Sequence, residues 1–348
     1  SGEAFASWTF RKAPKFFDVV TYTGNGVAGR TISHDLGTTV GSIFVKRTDA
    51  GWDWQVYHRG LSNPATKMLQ LHNTEAEITG FWYGTAATST GFTVNDSNSV
   101  NQSGGTYVAY VFAHNDGDGE FGADGDLDII KCGSKTFTGG GVYTIDLGFE
   151  ADFVLWKRAD STSDWNIMDS MRPKFDANSL TGAGQTLVLK PNNNGAENTN
   201  VLYMGPTATG FGGYNGSGAS TWIYMAIRRG TKVPESATEV FSLALRDTSK
   251  PHFNATSSHV DMAFKIYTLS GYGDSWKKYI QSRLTGTKHL KTNSTGSEGT
   301  NSENTWDHHN GWSEDPGSAD YFSWMWKRAP GFFDAVAFSG TGSAQTIN

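Results

Sequence analysis

The chain has 348 residues, 34 Asp and Glu against 28 Lys and Arg, and a formal net charge of −6. That balance lacks the basic face expected of a nucleic-acid binder or of a protein lying on an anionic membrane. No apolar run approaches the ~20 residues that a membrane-spanning helix requires.

With 42 glycines, 13% aromatic and 18% charged residues, the composition is that of a turn-rich β protein with enough large side chains for several cores. The single cysteine, Cys132, excludes a disulfide within the chain and suits folding in a reducing cytoplasm.

In chain order, Phe5-Ala6-Ser7-Trp8-Thr9-Phe10 reads first, as a strand. It copies three closing strands at 107–112, 222–227 and 321–326. The match between its surroundings and the far end continues through Ala13-Pro14-Lys15-Phe16-Phe17-Asp18 and Ala329-Pro330-Gly331-Phe332-Phe333-Asp334, at an offset of 316 (324 − 8). We expect a window cut from a longer polypeptide, in which segment 5–10 has lost its own sandwich. Such a segment should be poorly ordered or paired with another chain; the alternative is a tail that completes a neighbour by strand addition.

The next residues predict short strands at 17–22, 30–33, 42–46, 54–57, 68–71, 91–94 and 107–112, separated by turn clusters. This is sandwich spacing. Strand 107–112 is apolar on both alternating sets, so both of its faces should be covered. The Trp54, Trp165 and Trp276 positions are 111 residues apart (165 − 54 and 276 − 165), each after a hydrophobic run ending near Lys46, Lys157 or Lys265. A fixed period argues for an array of similar units.

The expected architecture is therefore all-β, an elongated array of tandem antiparallel β-sandwiches of jelly-roll or lectin-like type. Units are expected at 18–115, 128–230 and 238–328. Segment 1–17 ends a preceding unit, 116–127 and 231–237 are linkers, and 329–348 begins a further unit. Residues 274–283 are the best helix candidate, but the period aligns them with strands. Polar stretches at 192–195, 215–218 and 291–304 read as exposed loops.

The acidic junction offers Asp116, Asp118, Glu120, Asp124, Asp126 and Asp128 with glycines between them. Alternating carboxylates can wrap Ca²⁺, the one cofactor the chain suggests, although no Glu stands at the twelfth loop position. The bland alternative is a solvated acidic linker. Gly24-Asn25-Gly26-Val27-Ala28-Gly29 has dinucleotide-fingerprint spacing, but its copy at 340–345 lacks the third glycine and no helix pattern follows, so it reads as a hairpin turn. The adjacent His308 and His309 would point to opposite faces of a strand and do not make a metal pair. No nucleophile-elbow, zinc-protease or P-loop motif occurs, and the Asp-Trp pairs are better read as core than as a sugar site.

The segments 11–26 and 31–47, and Trp222-Ile223-Tyr224-Met225-Ala226-Ile227-Arg228-Arg229-Gly230 with Lys232-Val233-Pro234, resemble a repeated β-rich domain of tailed bacteriophages, often marine. The resemblance covers nearly the whole chain. It implies a tail, tail-fibre or other virion surface protein that is made in the host cytoplasm and trimerises as fibres do. It supplies no catalytic residues.

The partners so implied are other virion proteins, copies of the chain, and a host surface receptor or glycan. On this reading Trp82, Tyr83, Tyr214, Trp306, His308, His309 and Trp312 are the expected contact residues, placed on exposed loops. A carbohydrate-active tailspike-type enzyme or a lectin module is the alternative, and an enzyme would need paired carboxylates in a cleft.

Overall fold

The computed structural model describes residues 7–344 except 81, 83, 123, 170–185, 196–197, 201–203, 208, 231–233, 256–258, 268–277, 302–303, 305, 307, 309, 315–320 and 336–341. It is an all-β, sandwich-type protein. The first eight strands are β1 (Phe17–Thr23), β2 (Arg30–Ser33), β3 (Val40–Arg47), β4 (Gln55–His58), β5 (Lys67–Gln70), β6 (Ile78–Thr79), β7 (Gly91–Val94) and β8 (Thr106–Ala113). All but β6 follow the sequence expectation closely, because most are short runs of β-branched and aromatic residues between turn formers. The six-stranded sheet runs β1-β8-β3-β4-β5-β6, and β2 and β7 pair as a small second sheet.

Next come β9 (Ile130–Phe137), β10 (Gly141–Asp146), β11 (Ala151–Arg158), β12 (Trp165–Asp169), β13 (Thr186–Val188), β14 (Asn198–Asn200), β15 (Met204–Thr207), β16 (Gly210–Asn215) and β17 (Ser220–Arg228). The larger sheet runs β12-β11-β17-β9, opposed by β10-β16-β15, with β13 and β14 as a separate pair. The remaining strands are β18 (Phe241–Leu245), β19 (Phe253–Asn254), β20 (Met262–Tyr267), β21 (Tyr279–Ser282), β22 (Lys288–Lys291), β23 (Gly299–Thr300), β24 (Gly311–Trp312) and β25 (Tyr321–Trp326). They form β18-β25-β20-β21-β22-β23 and the pair β19-β24. In each large sheet the closing strand lies between the opening strand and the strand that starts the central run. Of the helix candidate, 279–282 form strand β21 and Arg283 opens a short 3-10 turn; 274–277 lie outside the described residues.

Alternation decides which residues meet. Ile43, Val45 and Arg47 pair with Val111, Ala109 and Tyr107, and this face meets the small sheet through Tyr57, Trp82 and Phe92, whose rings lie edge to face. The opposite face, with Phe17 and Phe112, meets the second large sheet. Phe153, Leu155, Ile223 and Met225 of that sheet belong to the same core as the first sandwich. The sheet's reverse face, with Val154, Trp156, Trp222 and Ala226, forms a second core with Tyr143, Ile145 and Phe211. The first two sandwiches thus share a core and are not beads on a linker. The β9-β17-β11-β12 sheet is covered on both sides, the physical reason that 153–156 of β11 and 222–227 of β17 carry large apolar side chains on both alternating sets.

Segment 7–10 corrects an expectation. It carries no strand, and its aromatic side chains are wedged between the first two large sheets. The Phe10 ring lies 5.6 Å from that of Phe112 and 6.1 Å from that of Phe153. The Trp8 indole donates to Asp169 Oδ2 at 2.6 Å. Burying these rings supplies the reason for order, at about 1.5–3 kcal/mol per large side chain. Phe5 and Ala6 lie outside the described residues.

The glycine-rich 24–29 stretch is a turn between β1 and β2, with Gly26 and Gly29 at φ of 70° and 82°. A strand and not a helix follows it, but the expected hairpin is corrected: β1 pairs with β8 and β2 with β7, so the turn carries the chain from the large sheet to the small one.

Candidate functional site

Charged side chains converge where the second sandwich meets the third. Arg229 follows β17, Arg328 follows β25, Glu150 precedes β11 and Asp261 precedes β20. Arg328 grips Glu150 with both terminal nitrogens, Nη1 to Oε1 at 2.9 Å and Nη2 to Oε2 at 2.7 Å. Asp261 Oδ2 accepts from Arg229 Nη2 at 2.6 Å and from the Arg328 backbone N–H at 2.6 Å. Arg283 sits 3.9 Å from the other Asp261 oxygen and donates through Nε to the Val260 carbonyl at 3.0 Å. Burial works to raise the Asp261 carboxyl, but Arg229, His259 and Arg283 outweigh it and hold the group below the usual carboxylate range. Burial lowers the Arg283 guanidinium to about 10.

A cleft of about 540 Å³ opens beside this cluster. Phe149, Arg228, Arg328, Pro330, Phe332 and Asp334 are among its walls. The Arg228 guanidinium lies 5.6 Å over the Phe149 ring. Two carboxylates, Glu150 and Asp334, line the cleft, and both are bound by Arg328. With both oxygens of Glu150 engaged by one guanidinium, the arrangement braces three chain segments. The segment carrying Asp334 repeats an earlier one. Ala13 and Phe17 form an isolated bridge, as do Ala329 and Phe333. Lys12 pairs with Asp18 at 2.7 Å as Arg328 pairs with Asp334. Lys15 holds φ of 60° where Gly331 holds 71°.

A second charged pair lies inside the third sandwich. Lys265 bonds Glu314, and their side chains are 6% and 3% exposed. The Lys265 ammonium also stands 4.9 Å from the Tyr279 ring centre and 4.6 Å from that of Tyr321. Sequence spacing aligned Lys265 with Lys46 and Lys157, and register corrects this by one residue. Lys46 and Lys157 pair with Val108 and Ile223, each second in its closing run. Lys265 instead pairs with Ser323, third in its run. It therefore takes the inward place of Val45 and Trp156, since a one-residue slip changes the face of a strand.

The expected contact residues divide. Trp306 and Trp312 are fully buried and stacked on each other 5.3 Å apart, and Trp82 is 4% exposed. These three are core, which corrects their placement on exposed loops; a hydrophobic ring gains more from burial than from display. His308 is partly buried against the Ser313 hydroxyl at 3.0 Å. Tyr214 is half-buried on β16, opposite the exposed Val142. Tyr83, His309 and Trp276 lie outside the described residues. Trp165 begins β12 and its indole donates to the Gln70 carbonyl at 2.9 Å, joining the first two sandwiches. Trp54 stands just before β4 and stacks on Tyr110.

The acidic junction is docked on the first sandwich. Phe121 and Leu127 bridge as a hairpin. Asp128 accepts the backbone N–H groups of Gly117 and Gly119 and pairs with Lys131 at 3.3 Å. Asp118 accepts from the Thr38 hydroxyl and the Asp116 N–H, and Glu120 pairs with Lys15. Asp124 and Asp126 lie exposed at the hairpin tip. Among the described residues, no group of three or more His, Cys, Asp or Glu side chains is placed to hold a metal ion. Calcium is expected to leave the melting temperature unchanged, because three of the six carboxylates already serve protein donors. A calcium-dependent rise in differential scanning calorimetry would instead make this loop a calcium site.

Three imidazoles at the joints give a pH prediction. Burial pushes His58 down to about 3, and His114 and His259 down to about 4, from an ordinary 6.5. His58 Nε2 meets the Tyr224 carbonyl at 2.9 Å across the first two sandwiches. From pH 6.5 down to about 4 the unfolded chain takes up protons that the folded chain refuses. Stability should therefore fall with pH through that window, by up to about 1.4 kcal/mol per imidazole per pH unit. Urea titrations at pH 7 and pH 5 read the effect, and equal midpoints would refute it.

The Arg–carboxylate cluster joins residues too far apart in the chain to stand out as a motif. Its visible signal is the basic pair after three of the four aromatic strands, Arg11-Lys12, Arg228-Arg229 and Lys327-Arg328; 107–112 is followed by Ala113-His114 instead. No curated protein matches the chain. Residues 11–229, from the first of these basic pairs to the second and spanning both sandwiches of the shared core, match a family described as a domain of unknown function, DUF7483; this is more than half of the chain, and the chain belongs to that family.

Proposed function

We propose that the chain is a structural and adhesive component of a tailed-phage virion, a tail fibre or tail-associated surface protein. The observation that carries this reading is the way successive sandwiches are joined. A shared core holds the first two, and the Arg328–Glu150 and Arg229–Asp261 bonds tie the third to the second. Joints of this kind transmit load between modules, which suits an attachment protein. The similarity of segments 11–26 and 222–230 to repeated phage tail domains supports the virion setting. Binding by several modules at once gives reach and avidity.

Antibody against the purified chain, applied to particles of the phage that encodes it, should label the tail; unlabelled particles with no matching peptide by mass spectrometry would refute the reading. The tailspike reading draws on the cleft between Glu150 and Asp334. Cleavage of host polysaccharide by the purified chain, lost in Glu150→Gln, would replace the structural reading with that one.

A further inference from the structure

The third large sheet has an outer face that nothing in the described chain covers. Leu243, Leu245 and Leu290 on this sheet are 55%, 66% and 53% exposed. Register places them on one side with aromatic neighbours. Leu243 pairs with Trp324 and Leu245 with Phe322. Phe264 also pairs with Trp324, and Ile280 links Phe264 to Leu290. The face thus runs from β18 across β25, β20 and β21 to β22, with no charged side chain at these positions. An apolar patch spanning five strands is an interaction surface, unlike singly scattered apolar residues.

The corresponding faces of the first two sandwiches show what covers such a surface. The outward residues of β8 are Val108, Tyr110 and Phe112, the second, fourth and sixth of the run 107–112. On β17 the same places hold Ile223, Met225 and Ile227, and on β25 they hold Phe322, Trp324 and Trp326. The β8 and β17 faces lie in one common core, sheet against sheet. The β25 face has the same chemistry and the same place in its sheet order.

We propose that this face is a self-association surface, on which the equivalent third sheet of a second copy packs face to face. The pairing would reproduce between chains the sheet-on-sheet contact that the first two sandwiches make within one. Because one patch meets its own copy, the contact closes as a two-fold dimer and does not propagate. The partly buried Trp324 and Trp326 would act as anchors. This differs from the trimer implied by resemblance to fibres. It deepens the assembly role proposed above but does not depend on a virion location.

Light scattering coupled to size exclusion, over a concentration series, should show a dimer for the whole chain. Leu243→Glu with Leu245→Lys should convert it to a monomer, with the melting transition of the third sandwich retained because both side chains stand in solvent. Leu290→Lys, on the far side of the patch, should weaken the dimer as well and provides an independent reading if the first variant misfolds. A native chain that stays monomeric at every concentration, or forms a trimer, would overturn the proposal. So would a dimer untouched by both variants, or binding of the chain to neutral lipid vesicles in place of self-association. None of these outcomes bears on antibody labelling of the tail, so the two proposals fail separately.

Discussion

Lys265→Met is expected to destabilise the third sandwich by about 3–5 kcal/mol, because it strands the Glu314 carboxylate in the interior without its cation. Both partners are nearly out of water, at 6% and 3% side-chain exposure. The ammonium is enclosed further by Tyr279 and Tyr321. Glu314 is held in place by its backbone N–H, which donates to His252 Nδ1 at 3.4 Å. Glu314→Leu alone should cost a similar amount by leaving the lysine uncompensated. The double replacement, Lys265→Met with Glu314→Leu, should recover most of the loss, since an apolar pair of similar volume escapes the desolvation cost of two ions. Urea unfolding of the four proteins reads this directly. A single-variant cost below about 1 kcal/mol would show a pair open to water.

Asp261→Ala is expected to cost about 3–5 kcal/mol and to loosen the joint between the second and third sandwiches. The carboxylate is 2% exposed and accepts from Arg229 and the Arg328 backbone, with Arg283 close by. Removing it leaves buried guanidinium groups facing one another. The sign with pH follows from the direction of its shift. The Asp261 carboxyl is held below its ordinary 3.8, so its contribution is complete above about pH 4 and disappears as the pH falls through the folded value. Asp261→Asn should therefore flatten the acid limb of the stability profile as well as lower the plateau. Hydrogen exchange should show faster opening at 228–230 and 326–328 in either variant. An unchanged acid limb would mean that other carboxylates control acid unfolding.

Much of the fold was legible because the governing signals are local. Strands β1 to β5, β7 and β8 were readable from short β-branched and aromatic runs between Gly, Asn and Ser clusters; the two-residue β6 was too short to show a period. The turn at Gly24–Gly29 was readable because its copy lacks the third glycine of a phosphate-binding loop, but that it passes between two sheets and closes no hairpin depended on pairing partners far along the chain. The candidate site was much less legible. Trp82, Trp306 and Trp312 sit in turn-rich stretches that look exposed, yet loops that close a sandwich carry its largest plugs. Period alone places Lys265 with Lys46 and Lys157, but it does not measure pairing register, and a one-residue slip turns Lys265 to the opposite face of its strand, where Glu314 meets it.

The order of aromatic strands, the repeated Ala-Pro-x-Phe-Phe-Asp turn, and the basic pairs that follow the closing strands belong to the sequence alone. They follow from backbone preference and periodicity, which act over a few residues. Which faces were covered was decided only in three dimensions. The two apolar sides of 107–112 required two partners, and the second large sheet supplied one of them. Arg328 and Glu150 are 178 residues apart in the chain but joined by two hydrogen bonds. Their meeting depends on how whole sheets stack, because burial rewards contact between surfaces whatever their separation along the chain.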